Sequence, residues 1–189
     1  MSTRGFITFV IDGTEKTAYN HFDSYPDGLG LNVLKWLRSG PVDPEAVRAL
    51  RVASRDSRPS DEDIERLRKW SWDRHQHGGT QDLRDGQEWY DLLHETMGEP
   101  ALMLEAGVIE DAHGFPQESL FAEWGYVIDL DAGRYEVYEG FQRSRHHKGR
   151  FADRAPVDGY YPVALVASWP LSDLPADDAS EAGFAGDGS

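Results

Sequence analysis

The beginning of the chain has the hydrophobic pattern of a β-hairpin. Residues 6–11 form a short β-rich run that leads into Asp12 and Gly13, a pair that favours a tight turn. Residues 16–19 form a second extended run directly afterwards. Because the second strand of a hairpin folds back on the first, we expect the start of the first run to lie opposite the end of the second.

The C-terminal part of the chain also has the period of two that is typical of strands. Large apolar residues alternate with small or polar ones over residues 124–130, and residues 131–133 form a turn. The alternation continues at Tyr135 and Val137, and residues 161–167 predict a last strand.

The middle of the chain has helical spacing. Its apolar residues recur every three or four positions, with capping residues before them and glycine or proline after them. The helices expected from this pattern lie within residues 31–37, 43–50, 60–70, 89–98 and 100–107. Since both kinds of element must bury their apolar faces, we predict an α+β fold, with one mainly antiparallel sheet from the N- and C-terminal strands covered by the central helices.

The composition indicates an ordinary globular protein. A chain of 189 residues can bury its own core, and we predict a single domain over residues 1–174 and an acidic disordered tail over residues 175–189. Without cysteine there can be no disulfide, thiolate nucleophile or thiolate metal site, which favours a reducing, cytoplasmic location. The sequence has no apolar run long enough for a membrane span.

The formal net charge of -15 narrows the range of partners. Such a charge repels nucleic acid and anionic lipid, so we expect neither non-specific nucleic-acid binding nor membrane binding. Two explanations of the acidity remain open. It can simply keep the protein soluble, or it can mimic nucleic acid towards a basic partner.

The segment between the hairpin and the first helix concentrates polar groups. His21 supplies an imidazole, Arg4 a fixed charge and Asp23 a counter-ion, and we expect these three to be hydrogen-bonded together. Gly28 and Gly30 are expected to open the helix with free N–H groups that can receive a carboxylate or phosphate. The predicted ligand-binding residues of this small polar or anion-binding pocket are Tyr19, Asn20, Ser24, Tyr25, Gly28 and Gly30. Alternatively, these residue types only cap a helix and shape a turn.

Three motifs in this segment resemble the opening of a family of uncharacterised phage and bacterial proteins. They are Thr3-Arg4-Gly5, the run Tyr-Asn-His-Phe-Asp-Ser-Tyr-Pro at 19–26, and Gly28-Leu29-Gly30. The resemblance covers roughly the first thirty to forty residues and is looser in the later hairpin and in residues 163–175. It implies a shared site between Arg4 and Tyr25, but no activity or substrate.

A second similarity is to the N-terminal-nucleophile hydrolases. In these enzymes the residue exposed by removal of the initiator Met begins a strand, and its own α-amine acts as the base. Ser2 holds that position here. The similarity implies amide hydrolysis with Ser2 as nucleophile, and with Arg4, Asn20, His21 and Asp23 orienting the substrate or supporting an oxyanion. Alternatively, Ser2 merely precedes the strand.

Two further pairs carry weaker signals. His75 and His77 are spaced so that both can contact one metal ion, but no other ligand is fixed by spacing and a glycine stop follows, so we predict no metal site and no cofactor. Asp129 and Asp131 resemble a carboxylate pair at a strand end, although Gly133 favours a role as turn formers.

A local basic run interrupts the acidic composition. Its members are Arg143, Arg145, His146, His147, Lys148, Arg150 and Arg154. The run can contact phosphate or an acidic partner, form a mobile loop between two strands, or fold against the protein's own acids.

No motif identifies a reaction, and two classes of function remain. The first is an enzyme with a small pocket for an anionic or polar ligand around Arg4 and His21, in which Ser2 is a candidate nucleophile. The second is a non-catalytic phage or mobile-element protein that engages a host protein through its acidic surface.

Overall fold

The computed structural model describes residues 3–71 and 88–176 of the chain. The strands are β1 (Gly5–Ile11), β2 (Thr14–Asn20), β3 (Arg51–Ala53), β4 (Val108–Glu110), β5 (Trp124–Asp129), β6 (Arg134–Glu139) and β7 (Ala164–Pro170). The α-helices are α1 (Leu31–Ser39), α2 (Pro44–Ala49), α3 (Asp61–Leu67), α4 (Trp89–Leu92) and α5 (Pro100–Ala106). Short turns of π- or 3-10 helix lie at Pro26–Gly30, Arg68–Trp70, His94–Thr96 and Phe115–Gln117.

The main sheet within these residues has the strand order β2-β1-β5-β6-β7. Neighbouring strands are antiparallel, except that β1 and β5 are parallel, with Gly5 opposite Trp124. The first hairpin turns at Asp12 and Gly13, which have φ of 49° and 70°, and its register places Gly5 opposite Asn20. The prediction of an α+β fold with a mainly antiparallel sheet is therefore confirmed, with one parallel pair inside the sheet.

One face of the main sheet packs against the helices. The buried cluster on this face comprises Ile7, Phe9, Ile11, Val33, Leu34, Leu37, Val47, Leu50, Met103, Tyr126, Ile128, Tyr135 and Val137, among others. The Tyr126 hydroxyl donates to the Ser24 carbonyl at 2.9 Å, and the Tyr135 hydroxyl to the Gly30 carbonyl at 3.1 Å. Two buried tyrosines thus fix the segment before α1 to the sheet, while burial of each large apolar side chain contributes about 1.5–3 kcal/mol.

The opposite face is covered by irregular chain rather than by helices. Phe6 and Tyr138 pack there with Phe151 and Val163 of the connection between β6 and β7. The Phe6 ring lies so close to β5 that a Cβ on Gly125 would be 2.0 Å from its Cζ. The central helices therefore cover one face, and this connection covers the other.

A small parallel sheet of β3 and β4 was not predicted from the sequence. Each strand has three residues and follows almost directly on a helix, so neither is long enough to show a period of two. Val52 pairs with Ile109. The Ala112 N–H just beyond β4 donates to the Thr17 carbonyl of β2 at 3.0 Å, which places the small sheet beside the hairpin.

The end of the chain differs from expectation in one element. The predicted last strand at 161–167 lies instead at Ala164–Pro170, because the Tyr161 N–H donates to the Gln142 carbonyl and the Val163 N–H to the Pro116 carbonyl. Most of the predicted tail, residues 177–189, lies outside the described residues. Within the described part of the chain, no helix has the length and apolar character needed to cross a membrane.

Candidate functional site

Strand register brings Arg4 and His21 to the same end of the main sheet. Gly5 pairs with Asn20 on one side and with Trp124 on the other. Arg4 precedes Gly5 and His21 follows Asn20, so both lie just beyond the paired residues at this end. The Glu123 N–H donates to the Arg4 carbonyl at 3.0 Å, and the Arg4 N–H donates to Glu123 Oε1 at 3.3 Å. The backbone of Arg4 is thereby fixed while its side chain remains exposed.

A cleft of about 320 Å³ opens at this end of the sheet, beside the β3–β4 pair. Its charged residues are Arg4, Arg55, Glu110, Asp111 and Glu118, and its aromatic residues are Tyr19, Phe115 and Phe121. A second cleft of about 330 Å³ shares Arg55 and Glu110 with it. Volumes of this size lie at the lower end of the range for ligand pockets, which favours a small molecule.

Arg4 is a cation of this cleft that has no salt bridge to a described residue. Its guanidinium carbon lies 5.3 Å from the centroid of the Phe121 ring, a cation–π contact. Among residues 3–71 and 88–176, no carboxylate forms a salt bridge with this guanidinium. In so acidic a protein, an uncompensated guanidinium in a cleft offers planar, charged hydrogen bonds to a carboxylate or phosphate.

Tyr19 and His21 form a hydrogen-bonded pair beside Arg4. The Tyr19 hydroxyl lies 2.9 Å from His21 Nδ1. Burial lowers the pKa of His21, and the nearby charges of Arg4 and His94 lower it further. Burial also raises the pKa of Tyr19. Both shifts favour the neutral side chains, and in this state a hydroxyl donor can meet an imidazole acceptor.

Asn20 and Ser24 lie inside the loop that follows β2. The Asn20 side-chain amide donates to the Phe22 carbonyl and, at 2.8 Å, to Ser24 Oγ. Both side chains are buried. The structure thus brings them to each other and not to the lining of the cleft.

Asp23 does not complete the expected trio. Its carboxylate forms no hydrogen bond with Arg4 or His21, so the expectation of three mutually hydrogen-bonded side chains is wrong. Asp23 has φ of 43°, and its carbonyl accepts the Leu29 N–H at 2.8 Å, so the residue turns the chain. His21 is bonded to Tyr19 instead.

The expectation of free N–H groups at Gly28 and Gly30 is also wrong. Both groups donate to the carbonyl of the exposed Tyr25, at 3.0 Å and 3.2 Å, in a helical turn that begins at Pro26. Gly30 is buried, and a Cβ there would lie 2.8 Å from the Tyr126 ring. The glycine at 30 allows close packing, and its N–H is already bonded to the Tyr25 carbonyl.

Glu110 and Arg55 were not singled out from the sequence. Arg55 Nε lies 3.3 Å from Glu110 Oε1. Burial raises the pKa of the Glu110 carboxyl, which Arg55 opposes and Glu88 reinforces. A carboxyl with a raised pKa in a cleft is suited to proton transfer. No sequence signal could have found it, since Glu110 ends a three-residue strand.

The basic run divides into a paired part and an exposed part. Arg150 contacts Asp129, Glu136 at 3.0 Å and Glu15 at 3.8 Å. Burial disfavours the Arg150 charge, but the hydrogen bonds to Glu136 and Asp129 outweigh this effect and raise its pKa. Arg154 also contacts Glu15.

Arg143, Arg145, His147 and Lys148 are exposed on the connection between β6 and β7. His146 is half-buried there, with its Nε2 2.8 Å from the Pro162 carbonyl oxygen. The interpretation as a loop therefore holds for this part of the run, and folding against the protein's own acids holds for Arg150 and Arg154.

Asp129 and Asp131 are turn formers, as interpreted. Asp129 Oδ1 accepts the Ala132 N–H at 2.8 Å. The Asp131 carboxylate accepts the N–H groups of Asp12 and Gly13, both at 2.8 Å. Asp131 thereby joins the two hairpin turns at the end of the sheet away from the cleft.

Some predicted residues cannot be placed. Ser2, His75 and His77 lie outside the described residues. Within the described ranges, no group of three or more His, Asp or Glu side chains is arranged to hold a metal ion.

Comparisons of this chain with protein-family models, with curated proteins and with solved structures find no match.

Proposed function

We propose that the protein binds a small anionic ligand in the cleft beside Arg4. The observation that carries this proposal is the Arg4 guanidinium, which lines a cleft of about 320 Å³ without a salt bridge to any described carboxylate. Most of the other described arginines are paired with acids, Arg48, Arg51, Arg55, Arg66, Arg68, Arg150 and Arg154 among them.

The surroundings of Arg4 support recognition rather than simple exposure. Its backbone is held by Glu123, and β1 is paired on both sides. Phe121 lies under the guanidinium, which limits the positions that the side chain adopts. A positioned guanidinium loses less entropy on binding than a mobile one, so the same charge binds more tightly.

The net charge of the protein supports a small ligand over a polymer. A charge of -15 repels a polyanion along its whole length, whereas a single carboxylate or phosphate needs only the contact with Arg4. Screening reduces the repulsion beyond about 8 Å at physiological salt.

An NMR titration with benzoate and with inorganic phosphate tests this proposal. Benzoate presents one carboxylate and one ring, which matches Arg4 and the aromatic wall at Phe121. We expect signals of the cleft to shift, and Arg4→Gln to weaken binding by roughly tenfold or more, the loss of one charge-assisted hydrogen-bonded pair. Arg145→Gln removes the same charge from an exposed loop and should leave binding unchanged. Equal weakening by both substitutions would indicate only a non-specific charge effect.

A second candidate function is amide hydrolysis, with Ser2 as nucleophile. One observation favours it. The Thr3 hydroxyl, on the residue next to Ser2, is buried and has no hydrogen-bond partner among the described residues. This hydroxyl can donate a hydrogen bond to a reacting N-terminal residue or accept one from it.

Mass spectrometry tests this second candidate. Removal of Met1 and covalent labelling of Ser2 by a β-lactone are expected, with no labelling of Ser2→Ala. Retention of Met1 would rule out the α-amine as the base.

A further inference from the structure

The cleft beside Arg4 contains a second charged group without a salt bridge, the carboxylate of Glu118. Both side chains line the same cleft of about 320 Å³. They form no salt bridge with each other, since no nitrogen of Arg4 lies within 4.0 Å of a carboxylate oxygen of Glu118. Within residues 3–71 and 88–176, Glu118 has no salt bridge to another residue either.

The other charged groups of the cleft are already bonded. Arg55 is paired with Glu110 at 3.3 Å. Asp111 Oδ1 accepts the His113 N–H at 2.8 Å. Arg4 and Glu118 are therefore the two charged side chains of the lining that form no side-chain hydrogen bond or salt bridge with a described residue.

Aromatic residues form the apolar part of the lining. Phe115 is fixed by an edge-to-face contact with Tyr19, with ring centroids 5.1 Å apart, and by a similar contact with Phe6 at 6.5 Å. Phe121 is 41% exposed and lies under the Arg4 guanidinium. The lining thus combines one open cation, one open anion and flat apolar surface.

We propose that the ligand is a zwitterion with a flat apolar middle. Its anionic group binds Arg4, its apolar part packs on Phe115 and Phe121, and its protonated amine binds Glu118. This inference rests on the proposed function and adds the amine. The overall charge of -15 favours the amine, because it attracts cations to the surface.

Two probes that differ by one protonated aminomethyl group test the inference. Benzoate carries the carboxylate and the ring, and 4-(aminomethyl)benzoate adds a protonated amine on the far side of the ring. Isothermal titration at low salt should give roughly tenfold tighter binding of the second probe, the gain from one charge-assisted hydrogen bond.

Matched variants assign this gain to Glu118. In Glu118→Gln the two probes should bind equally well, with benzoate affinity no lower than in the unsubstituted protein. Glu62→Gln, an exposed carboxylate on α3, removes the same charge outside the cleft and should keep the tenfold difference. Arg4→Gln should weaken both probes. Circular dichroism melting curves check that each variant folds, which we expect because the substituted side chains are exposed.

The outcomes separate this inference from the proposed function. If the two probes bind equally, or if their difference persists in Glu118→Gln, the zwitterion is wrong, while loss of benzoate binding in Arg4→Gln still supports the anion site. If neither probe binds, or if Arg4→Gln has no effect on either, both proposals fail.

Discussion

The ammonium nitrogen of Lys16 lies 2.7 Å from the carbonyl oxygen of Leu50. It also donates to the carbonyls of Val47 and Arg48, both at 2.8 Å. These carbonyls lie at the C-terminal end of α2, where the last carbonyls of a helix lack donors within the helix. The Val47 carbonyl also accepts the Leu50 N–H at 3.3 Å. A buried lysine on β2 therefore completes the hydrogen bonds of a helix from another layer.

Replacement of Lys16 should show what this cap contributes. Lys16→Met keeps the apolar stem but leaves the three carbonyls without their donor, so we expect a loss of about 2 kcal/mol in the free energy of unfolding, as for hydrogen bonds to a charged group. Urea denaturation measures it. Lys35→Met, on the exposed side of α1, should change stability by less than about 0.5 kcal/mol. A similar loss in both variants would show that Lys16 has no special role.

Gly30→Ala should destabilise the protein without touching the cleft. The alanine Cβ would lie 2.8 Å from the ring of Tyr126, which is fully buried. We therefore expect the free energy of unfolding to fall by about 1–3 kcal/mol. Gly114→Ala is the control, because a Cβ there meets no atom within 4 Å and its φ of -74° suits alanine. Comparison of the two melting temperatures gives the result, and equal values would contradict the packing at Gly30.

Arg150→Gln should be far more costly than substitution of its exposed neighbours. Asp129 and Glu136 have little exposed surface, and the substitution leaves both carboxylates without their cation. Removing one partner from such an ion-pair group lowers the free energy of unfolding by about 3 kcal/mol. The double variant Arg145→Gln with Lys148→Gln should stay within about 0.5 kcal/mol of the parent. Chemical denaturation compares them. A small loss in Arg150→Gln would mean that the contacts with acids are not stabilising.

The pKa of His21 should report on Arg4. Because Arg4 lowers this pKa, Arg4→Gln should raise it towards the ordinary value, and Arg145→Gln should leave it unchanged. Imidazole proton shifts followed by NMR from pH 4 to 8 give both values. An unchanged pKa in Arg4→Gln would show that the two groups do not interact.

The same shift has a consequence for acid stability. The folded protein binds a proton at His21 less readily than the unfolded chain does, so this contribution to stability is present above the unfolded pKa and is lost as pH falls through that value towards the folded one. His21→Gln should therefore lose less stability between pH 7 and pH 5 than the parent. Urea midpoints at the two pH values measure this difference. A larger loss of stability in the variant than in the parent would contradict the expected effect of His21.

Local signals in the sequence were enough to place Arg4 beside His21. The Asp12-Gly13 turn fixes the hairpin register, and register fixes which residues meet. The cleft could not be found in this way. Glu110 reaches it through a short parallel pairing, and Glu118 through a 3-10 turn, and neither arrangement leaves a periodic pattern.

The bonding within the polar loop after β2 could not be predicted for a related reason. Its residue types suit both a binding site and a self-contained turn, and sequence alone does not show which groups are already bonded. The structure shows that Gly28 and Gly30 donate to Tyr25, and that Asn20 donates to Ser24.

The parallel pairing of β1 with β5 also determines when the cleft can form during folding. The hairpin of β1 and β2 is local and closes within microseconds. Arg4 and Glu123, by contrast, are 119 positions apart, so the contact that fixes Arg4 requires closure of a very long loop. On the ribosome, the first strand emerges long before its partner is synthesised. The cleft beside Arg4 is thus among the last parts of the molecule to be completed.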